Sequence, residues 1–468
     1  MYRKFGNLFW MIGGIFLTLT HAVPLWAGEA SETAVPDQTA APEQTAAPEQ
    51  TAVPDLTMAP DLTERAEYLG IPLQERYPDG EFAYARNVWT MQAYAGKVYL
   101  GAGAYDNSPP AANAGPVPIF AFDPEKGVFE HEWTVPDEQI GVYRVFSDGQ
   151  LYAPGIDPRE GWELGNFYRK QKNGEWEKVR TFPNGIHNLD MAEFQGKIFC
   201  GCYGIGISDD WGKTMVLREA GGYRIHSFFQ VPTALLASSE LYFQKSKYTD
   251  GPAALLYRYV PEKNDFEAAP QDVSELLPDT PIGFTPTEDA PLKVCLIGTT
   301  PFKDRVLYRT RRYLSKAAAQ YRMKPFGAYS AEVKDGKIHA VRLALPENIF
   351  VMDFTTWRTE DGTEKCAVLF CEGIAPLKQT PAETEAPKDQ PRRIVRNHVW
   401  ESSDGVNFVP LFSFEAETFA RSFAHLNGWF YFGLGTSIPR DPATGKWTGG
   451  GLHEKSGMIL RIPACVSP

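Results

Sequence analysis

From about residue 85 onward the hydrophobic positions fall in short runs, often alternating with polar ones, and each run stops at Gly, Pro, Asn or Asp. Period-two alternation between turn residues is the pattern of β-strands joined in hairpins. One hairpin recurs: an apolar strand, a short polar turn, then a second strand ending on a small residue. It appears at Trp89–Gly103, Tyr143–Gly155, His187–Gly201, His226–Ser238, Phe284–Gly298, Phe350–Gly373 and Arg421–Gly435, seven copies in all. Between copies lies a second hairpin with its own turn residues, at Ile119–Trp133, Phe167–Val179, Tyr257–Ala269, Tyr329–Leu343 and His398–Leu411. Helical periodicity is scarce. The best candidate is Arg311–Arg322, where Tyr313, Ala317 and Tyr321 fall four apart.

Two hairpins per repeat make a four-stranded unit, compatible with the roughly 40–50 residues of known propeller blades. Several strands, such as KVYLGAG and FYFGLG, are apolar on both faces. A sheet set radially between two neighbours buries both faces, whereas a β-sandwich has no reason to repeat one hairpin pair seven times. The expectation is therefore an all-β chain, a seven-bladed β-propeller of four-stranded antiparallel blades. The seventh copy offers Phe419–Leu426, Trp429–Gly435 and Met458–Ile462 and then stops, one strand short. The segment ahead of the first copy, Glu67–Leu73 or Glu81–Ala85, is expected to pair beside Met458–Ile462 and close the ring.

The first 63 residues differ in kind. Residues 1–27 carry Arg3 and Lys4, an apolar run from Leu8 to Leu19 and small residues at Ala27, Gly28 and Ala30, which reads as a secretory signal peptide cut near Ala27 or Ala30. Thr18, Thr20, His21 and Pro24 interrupt the run before the 18 or so apolar residues a membrane span needs. Residues 28–63 repeat a hexad (TAVPDQ, TAAPEQ, TAAPEQ, TAVPDL, TMAPDL), each unit with one Pro and one acid. Proline at that density blocks helix and sheet, and the acids repel, so a disordered, extended spacer is expected. The propeller then occupies 64–468, with a second polar stretch at 376–393 as a long internal loop. These features imply an exported protein, periplasmic or extracellular, a monomer with no transmembrane span once the leader is removed.

Charge narrows the partners. The net charge is −12, seven of the acids sit in the spacer, and the body is mildly acidic. Nucleic acid is excluded as a partner because phosphate binding needs clustered Lys and Arg. The local cluster Lys303, Arg305, Arg309, Arg311, Arg312, Lys316 reads as a solvated helix face or loop. Six cysteines permit fifteen pairings, so core thiols or one or two disulfides are expected without a connectivity. No CxxC or paired His lies near Cys200 and Cys202, and no loop carries the carboxylate spacing of a Ca²⁺ site, so neither metal nor cofactor is indicated.

Ser208-Asp209-Asp210-Trp211-Gly212-Lys213-Thr214-Met215 keeps the four polar positions of an S-x-D-x-G-x-T box, and Ser402-Ser403-Asp404-Gly405-Val406-Asn407-Phe408 is a shorter copy. Here the chain resembles the BNR/Asp-box, sialidase-like propellers. The resemblance implies that Ser208, Asp210, Gly212 and Thr214 form a structural turn between the outer strands of a blade, away from any catalytic face. It speaks to architecture only. Sialidases of that superfamily also carry an early R-I-P motif. Here R-I-P occurs at Arg461-Ile462-Pro463, and Tyr223-Arg224-Ile225-His226 lacks the Pro.

Propeller ligands meet the mouth of the central channel, at the innermost strands and the loops leading into them. Those positions hold Arg86, Asn87 and Trp89; Tyr143 and Arg144; His187, Asn188 and Asp190; Tyr223, Arg224 and His226; and Arg421. Strands buried around an axis are expected to be small and apolar. Arginines from several blades can instead hold a carboxylate, and a His near a Tyr can remove a proton α to a uronate carboxyl, as in polysaccharide lyases. The same groups can simply bond one another and hold the blades in register. Trp162 and Trp176 are assigned to blade packing. Two classes follow: a glycan-binding propeller at the channel mouth, with a glycoside hydrolase or polysaccharide lyase as its catalytic variant, or a non-enzymatic scaffold for cell-envelope proteins. No complete catalytic motif is present.

Overall fold

Seven antiparallel sheets follow one another along the chain, and together they form a seven-bladed β-propeller. The computed structural model describes residues 53–464 apart from 106–113, 219, 221–223, 243–255, 270, 272, 281–291, 315–326, 348, 373–393 and 438–451. The expected leader, the polar loop 376–393, Tyr223, Lys316 and Cys465 lie outside the described residues.

Blade one is built from Thr90–Tyr94, Lys97–Gly101, Val117–Asp123 and Val128–Val135. Blade two uses Arg144–Val145, Leu151–Pro158, Leu164–Lys170 and Trp176–Pro183. Blade three uses Asp190–Phe194, Lys197–Gly201, Ile205–Ser208 and Val216–Arg218. Blade four uses Ser227–Val231, Ala234–Ser238, Leu256–Val260 and Asp265–Ala268. Blade five uses Leu292–Phe302, Arg305–Leu314, Ala328–Lys334 and Lys337–Arg342. Blade six uses Ile349–Arg358, Glu364–Glu372, Val395–Ser402 and Val409–Ala416. First strands of blades three to seven, and of blades seven and one, touch in succession and so line the channel.

Blade seven closes the ring as expected. Ala420–Leu426, Trp429–Leu434 and Ile459–Pro463 are joined by Glu67–Gly70, which pairs antiparallel with the last strand in the register Glu67↔Arg461, Tyr68↔Leu460. Arg461 and Glu67 add an ion pair at 2.7 Å across that seam. The other candidate for the closing strand, Glu81–Ala85, lies within a 3₁₀ helix, Gly80–Arg86.

Burial explains why the strands are apolar on both faces. No common core exists; each cleft between blades has its own. Tyr99 and Val117 meet Leu151 and Tyr168 between blades one and two. Phe199 meets Phe228 and Leu235 between three and four. Phe412 meets Phe423, Phe430 and Phe432 between six and seven. Each blade contributes one face to each of two such clusters, the repeat logic of stacked units.

Blades one to three carry an additional tie at one rim. Past the second strand of blade one, Ile140 N donates to Ala102 O at 2.9 Å and Ala104 N donates to Glu138 O at 2.8 Å. On its other side, Asp137–Ile140 pairs with Gly155–Pro158. Beyond that, Asp157 N donates to Ile186 O at 2.7 Å, and Ile156 stands opposite His187. The result is a belt of backbone pairing across three blades. Gly103 permits it: its φ is +102°, and a Cβ there would sit 2.3 Å from Glu138 O.

Several expectations change. Arg311–Leu314, read as the start of a helix, is the end of the second strand of blade five, and 315–326 lies outside the described residues. The spacing of Tyr313, Ala317 and Tyr321 mimicked a helical face, while the arginines hid the alternation Val306, Tyr308. The basic cluster is accordingly spread over a turn and a strand, with Arg305 paired to Glu332. The hairpin expected at Phe284–Gly298 begins only at Leu292 and turns at Lys303. The end of the expected spacer is docked on blade six: Leu62 is buried, Leu62 N donates to Ser413 O, and Glu415 N donates to Thr63 Oγ1 at 2.9 Å. Cys200, Cys202, Cys295, Cys366 and Cys371 are buried free thiols. Trp176 packs between blades as expected, but Trp162 is 70% exposed.

The Ser208–Thr214 turn joins the outer strands of blade three. Gly212 N donates to Ser208 Oγ at 2.7 Å, and Thr214 donates to Asp210 through N at 2.9 Å and Oγ1 at 2.7 Å. Ser402 and Asp404 hold the matching turn of blade six.

Candidate ligand site at the channel rim

In this topology the chain approaches each first strand, and leaves each second strand, at the same rim. The nine candidate residues sit near that rim but do not form one site; they divide into three groups.

The first group is structural. Arg86 is fully buried and donates to Gln74 Oε1, Asp79 Oδ1 and Glu454 O, fastening the segment ahead of blade one to the last blade. Tyr143 is buried, with its hydroxyl on Leu100 O at 3.1 Å and its acidity suppressed by burial. Arg421 lies over the Trp89 ring at 4.3 Å and donates to Asn87 Oδ1 at 2.8 Å, joining blades one and seven. Trp89 in turn donates to Gly103 O at 2.7 Å.

The second group fills the channel. Arg144 takes both carboxylate oxygens of Asp190 at 3.0 Å and donates to Thr299 O at 2.9 Å, linking blades two, three and five. Asp190 also accepts from Met191 N at 2.8 Å and from Phe228 N of blade four at 3.0 Å. Asp353 of blade six repeats the device, accepting from Phe354 N at 2.9 Å and from Phe423 N of blade seven at 3.3 Å. Burial raises the Asp353 carboxyl to about 7, against the pull of Arg309 and Arg144. These groups satisfy one another and set blade register.

The third group is at the rim of blades two to four. His187 and Arg224 meet there, with the guanidinium 2.7 Å from His187 Nε2. Arg224 also donates to Tyr203 Oη through Nε at 3.0 Å and Nη2 at 2.8 Å, and lies over that ring. On its far side His187 Nδ1 meets Asp157 Oδ1. An arginine N–H can only donate, so Nε2 accepts and the ring proton is left to Nδ1, which lies against Asp157 Oδ1 without hydrogen-bond geometry. Tyr203 is 44% exposed, and Tyr105 brings a second ring 6.2 Å from His187. His226 is half-buried next to this group, its N–H on Ser238 O at 2.9 Å.

Asp157 reaches His187 from a left-handed backbone, φ +58°, which a side chain other than Gly adopts at a cost. The belt register places Glu138 directly across from Asp157, and both are only 6% exposed. Burial, reinforced by the Asp157 and Asp137 charges and opposed by Arg159, raises Glu138 to about 7. Asp157, Tyr203, Tyr105, Glu138 and Trp162 were not among the sequence candidates. The sequence candidates lie where the chain enters first strands, whereas Asp157, Tyr203 and Tyr105 lie where second strands end. Among the described residues no cluster of His, Cys, Asp and Glu has the geometry to hold a metal ion.

No protein-family model and no curated protein matches the sequence. Solved structures resemble the fold. A GH74 enzyme of Niastella koreensis aligns at 10% identity and TM-score 0.46, over 78% of this chain and 52% of that one. This chain thus spans about half the length of that enzyme. An α-L-arabinanase of Penicillium chrysogenum, complexed with arabinobiose, aligns at 12% identity and TM-score 0.38, over 86% of this chain and 98% of its own. The β-propeller domain of the Trilobed protease of Pyrococcus furiosus aligns at 8% identity and TM-score 0.38, over 73% and 89%. Identities this low speak to fold alone, and no residue role is carried over.

Proposed function

We propose that this chain is an exported propeller that binds an acidic saccharide at the rim of blades two to four. The observation that carries the reading is the Tyr203–Arg224–His187 cluster, a half-exposed phenol and a guanidinium beside the end of the backbone belt at His187. A guanidinium recognises a carboxylate with two parallel N–H bonds, and an exposed aromatic ring stacks on the apolar face of a sugar. The leader-like residues 1–27 support export, and among the described residues no helix is long and apolar enough to cross a membrane. Titration calorimetry of the secreted chain against uronate- and sialate-containing oligosaccharides tests the reading. Arg224→Ala should weaken binding at least tenfold, and Trp89→Phe should not. Silence across the acidic panel would remove the proposal.

A protein-binding scaffold of the cell envelope is the competing reading. It is favoured by the mutual satisfaction of Arg144, Asp190 and Thr299, which hold blades together rather than wait for a ligand.

A further inference from the structure

We propose that this rim cleaves its acidic glycan by β-elimination at a 4-linked uronate. His187 takes the proton, Tyr203 gives one back, and Arg224 holds the sugar's carboxylate. The proposal rests on the acidic-saccharide reading above and adds a substrate class and a reaction to it.

The hydrogen on the carbon next to a carboxylate is hard to remove, because the electrons left behind spread onto a group that is already negative. Three things are required together: a cation on the carboxylate, a base beside that carbon, and an acid at the departing oxygen. The rim supplies one of each within a single cluster. Arg224 is the cation. His187 is the base: its ring proton is on Nδ1, its Nε2 lone pair faces the guanidinium, and Asp157 stands behind to stabilise the imidazolium. When a substrate carboxylate draws the Arg224 N–H groups onto itself, Nε2 is bared toward the sugar. Tyr203 is the acid: its oxygen accepts from Arg224, so its own O–H points elsewhere, and the same guanidinium stabilises the phenolate once that proton has gone.

The bonds balance without a co-reactant. The C5–H bond breaks, its proton goes to His187 Nε2, and its electron pair spreads onto the carboxylate that Arg224 holds. The pair then forms the C4=C5 double bond as the C4–O bond breaks, and the departing oxygen takes the Tyr203 proton. One fragment ends in an unsaturated uronate and the other in a new reducing-end hydroxyl. Return of the imidazolium proton to the phenolate restores the site, and no water is consumed.

Two features favour elimination over hydrolysis. Hydrolytic enzymes use two carboxyl groups flanking the bond, about 5–10 Å apart. Here Glu138 and Asp157 face each other as one cross-strand pair, and Asp157 lies against His187 Nδ1, so the two do not flank a bond from opposite sides. Burial holds Glu138 up at about 7, which lowers the negative charge facing the anionic sugar below neutral pH. The connection that follows Asp157 presents Trp162, 70% exposed, as a platform for a neighbouring sugar of a polymer.

The full secreted chain is incubated with polygalacturonate, alginate, chondroitin and hyaluronan, and with the same polymers after reduction of their carboxyl groups. Binding and the ultraviolet absorbance of the conjugated C4=C5 product are read on the same samples. The expected result is absorbance growth on at least one native polymer and none on its reduced form. Tyr203→Phe keeps the ring and removes only an exposed oxygen; it should lower the rate by about 10²–10⁴-fold with binding changed only a few-fold. His187→Gln should do the same, with a melting curve confirming the fold of both variants. Binding without absorbance growth on any polymer overturns elimination and leaves the binding reading intact. Reducing ends released without unsaturation also overturn it, in favour of hydrolysis. Absence of binding overturns both.

Discussion

Arg144 of blade two grips both carboxylate oxygens of Asp190 in blade three at 3.0 Å, and Asp190 in turn caps the backbone of blade four at Phe228 N. A channel that might have presented these charges to a ligand spends them on itself. Removing one partner of a buried pair strands the other, a loss of about 3–5 kcal/mol. Arg144→Ala should therefore lower stability by roughly 3 kcal/mol in urea unfolding, with saccharide binding unchanged in the protein that remains folded. Loss of binding at unchanged stability would show that Arg144 belongs to the ligand site.

Asp353 makes the ring sensitive to pH in a direction opposite to ordinary acid denaturation. Its folded carboxyl titrates near 7 because burial outweighs its bonds, whereas the unfolded one titrates near 4. Between those values the folded state holds the extra proton, so stability falls as pH rises from about 4 to 7 and is then level. Asp353→Asn removes the charge and keeps an acceptor oxygen for only one of Phe354 N and Phe423 N. Its stability at pH 8 relative to pH 4 should therefore exceed that of the unaltered chain by roughly 4 kcal/mol, on top of a pH-independent loss from the forfeited bond. Thermal melts across pH read this directly; equal shifts at both ends would refute it.

Gly103 tests the belt. An alanine there must accept φ +102° and a Cβ 2.3 Å from Glu138 O, with backbone on both sides of the clash. Gly103→Ala should cost roughly 3 kcal/mol and also weaken saccharide binding, because Glu138, Asp157 and His187 hang from the displaced segment. Amide exchange at Ala104 and Ile140 should quicken. Unchanged exchange would mean that the belt does not order the rim.

Asp157 is a positioning residue in the elimination scheme. Asp157→Asn preserves shape but withdraws the charge behind His187 Nδ1, so kcat should fall at least tenfold with KM nearly unchanged. A rise in KM with kcat unchanged would assign Asp157 a merely structural part.

How much of this was legible beforehand follows from what burial does to a strand. Strands such as Trp429–Leu434 announce themselves because both faces are buried between blades and only the turns are polar. Ring closure was legible because the seventh copy shows only three strands, which leaves one edge of Ile459–Pro463 for Glu67–Gly70. Arg305–Leu314 was not, since Arg305 pairs across the blade with Glu332 and Arg309 lies near the buried Asp353, so charged residues break the alternation. At the rim, His187 and Arg224 were visible as polar residues ahead of apolar strands. Asp157 and Tyr203 were not: strand ends rich in Gly and Pro read as turns, and only the register brings them beside His187 and Arg224.

Glu67–Gly70 belongs to the same sheet as Ile459–Pro463, although almost the whole chain separates them. Ile459–Pro463 has Trp429–Leu434 on one side, and its other edge stays bare until Glu67–Gly70 arrives from far away in the sequence. The ring is therefore sealed by one four-residue strand, and a cut anywhere between it and blade one would turn a closed fold into one held shut by that strand's own affinity for its edge.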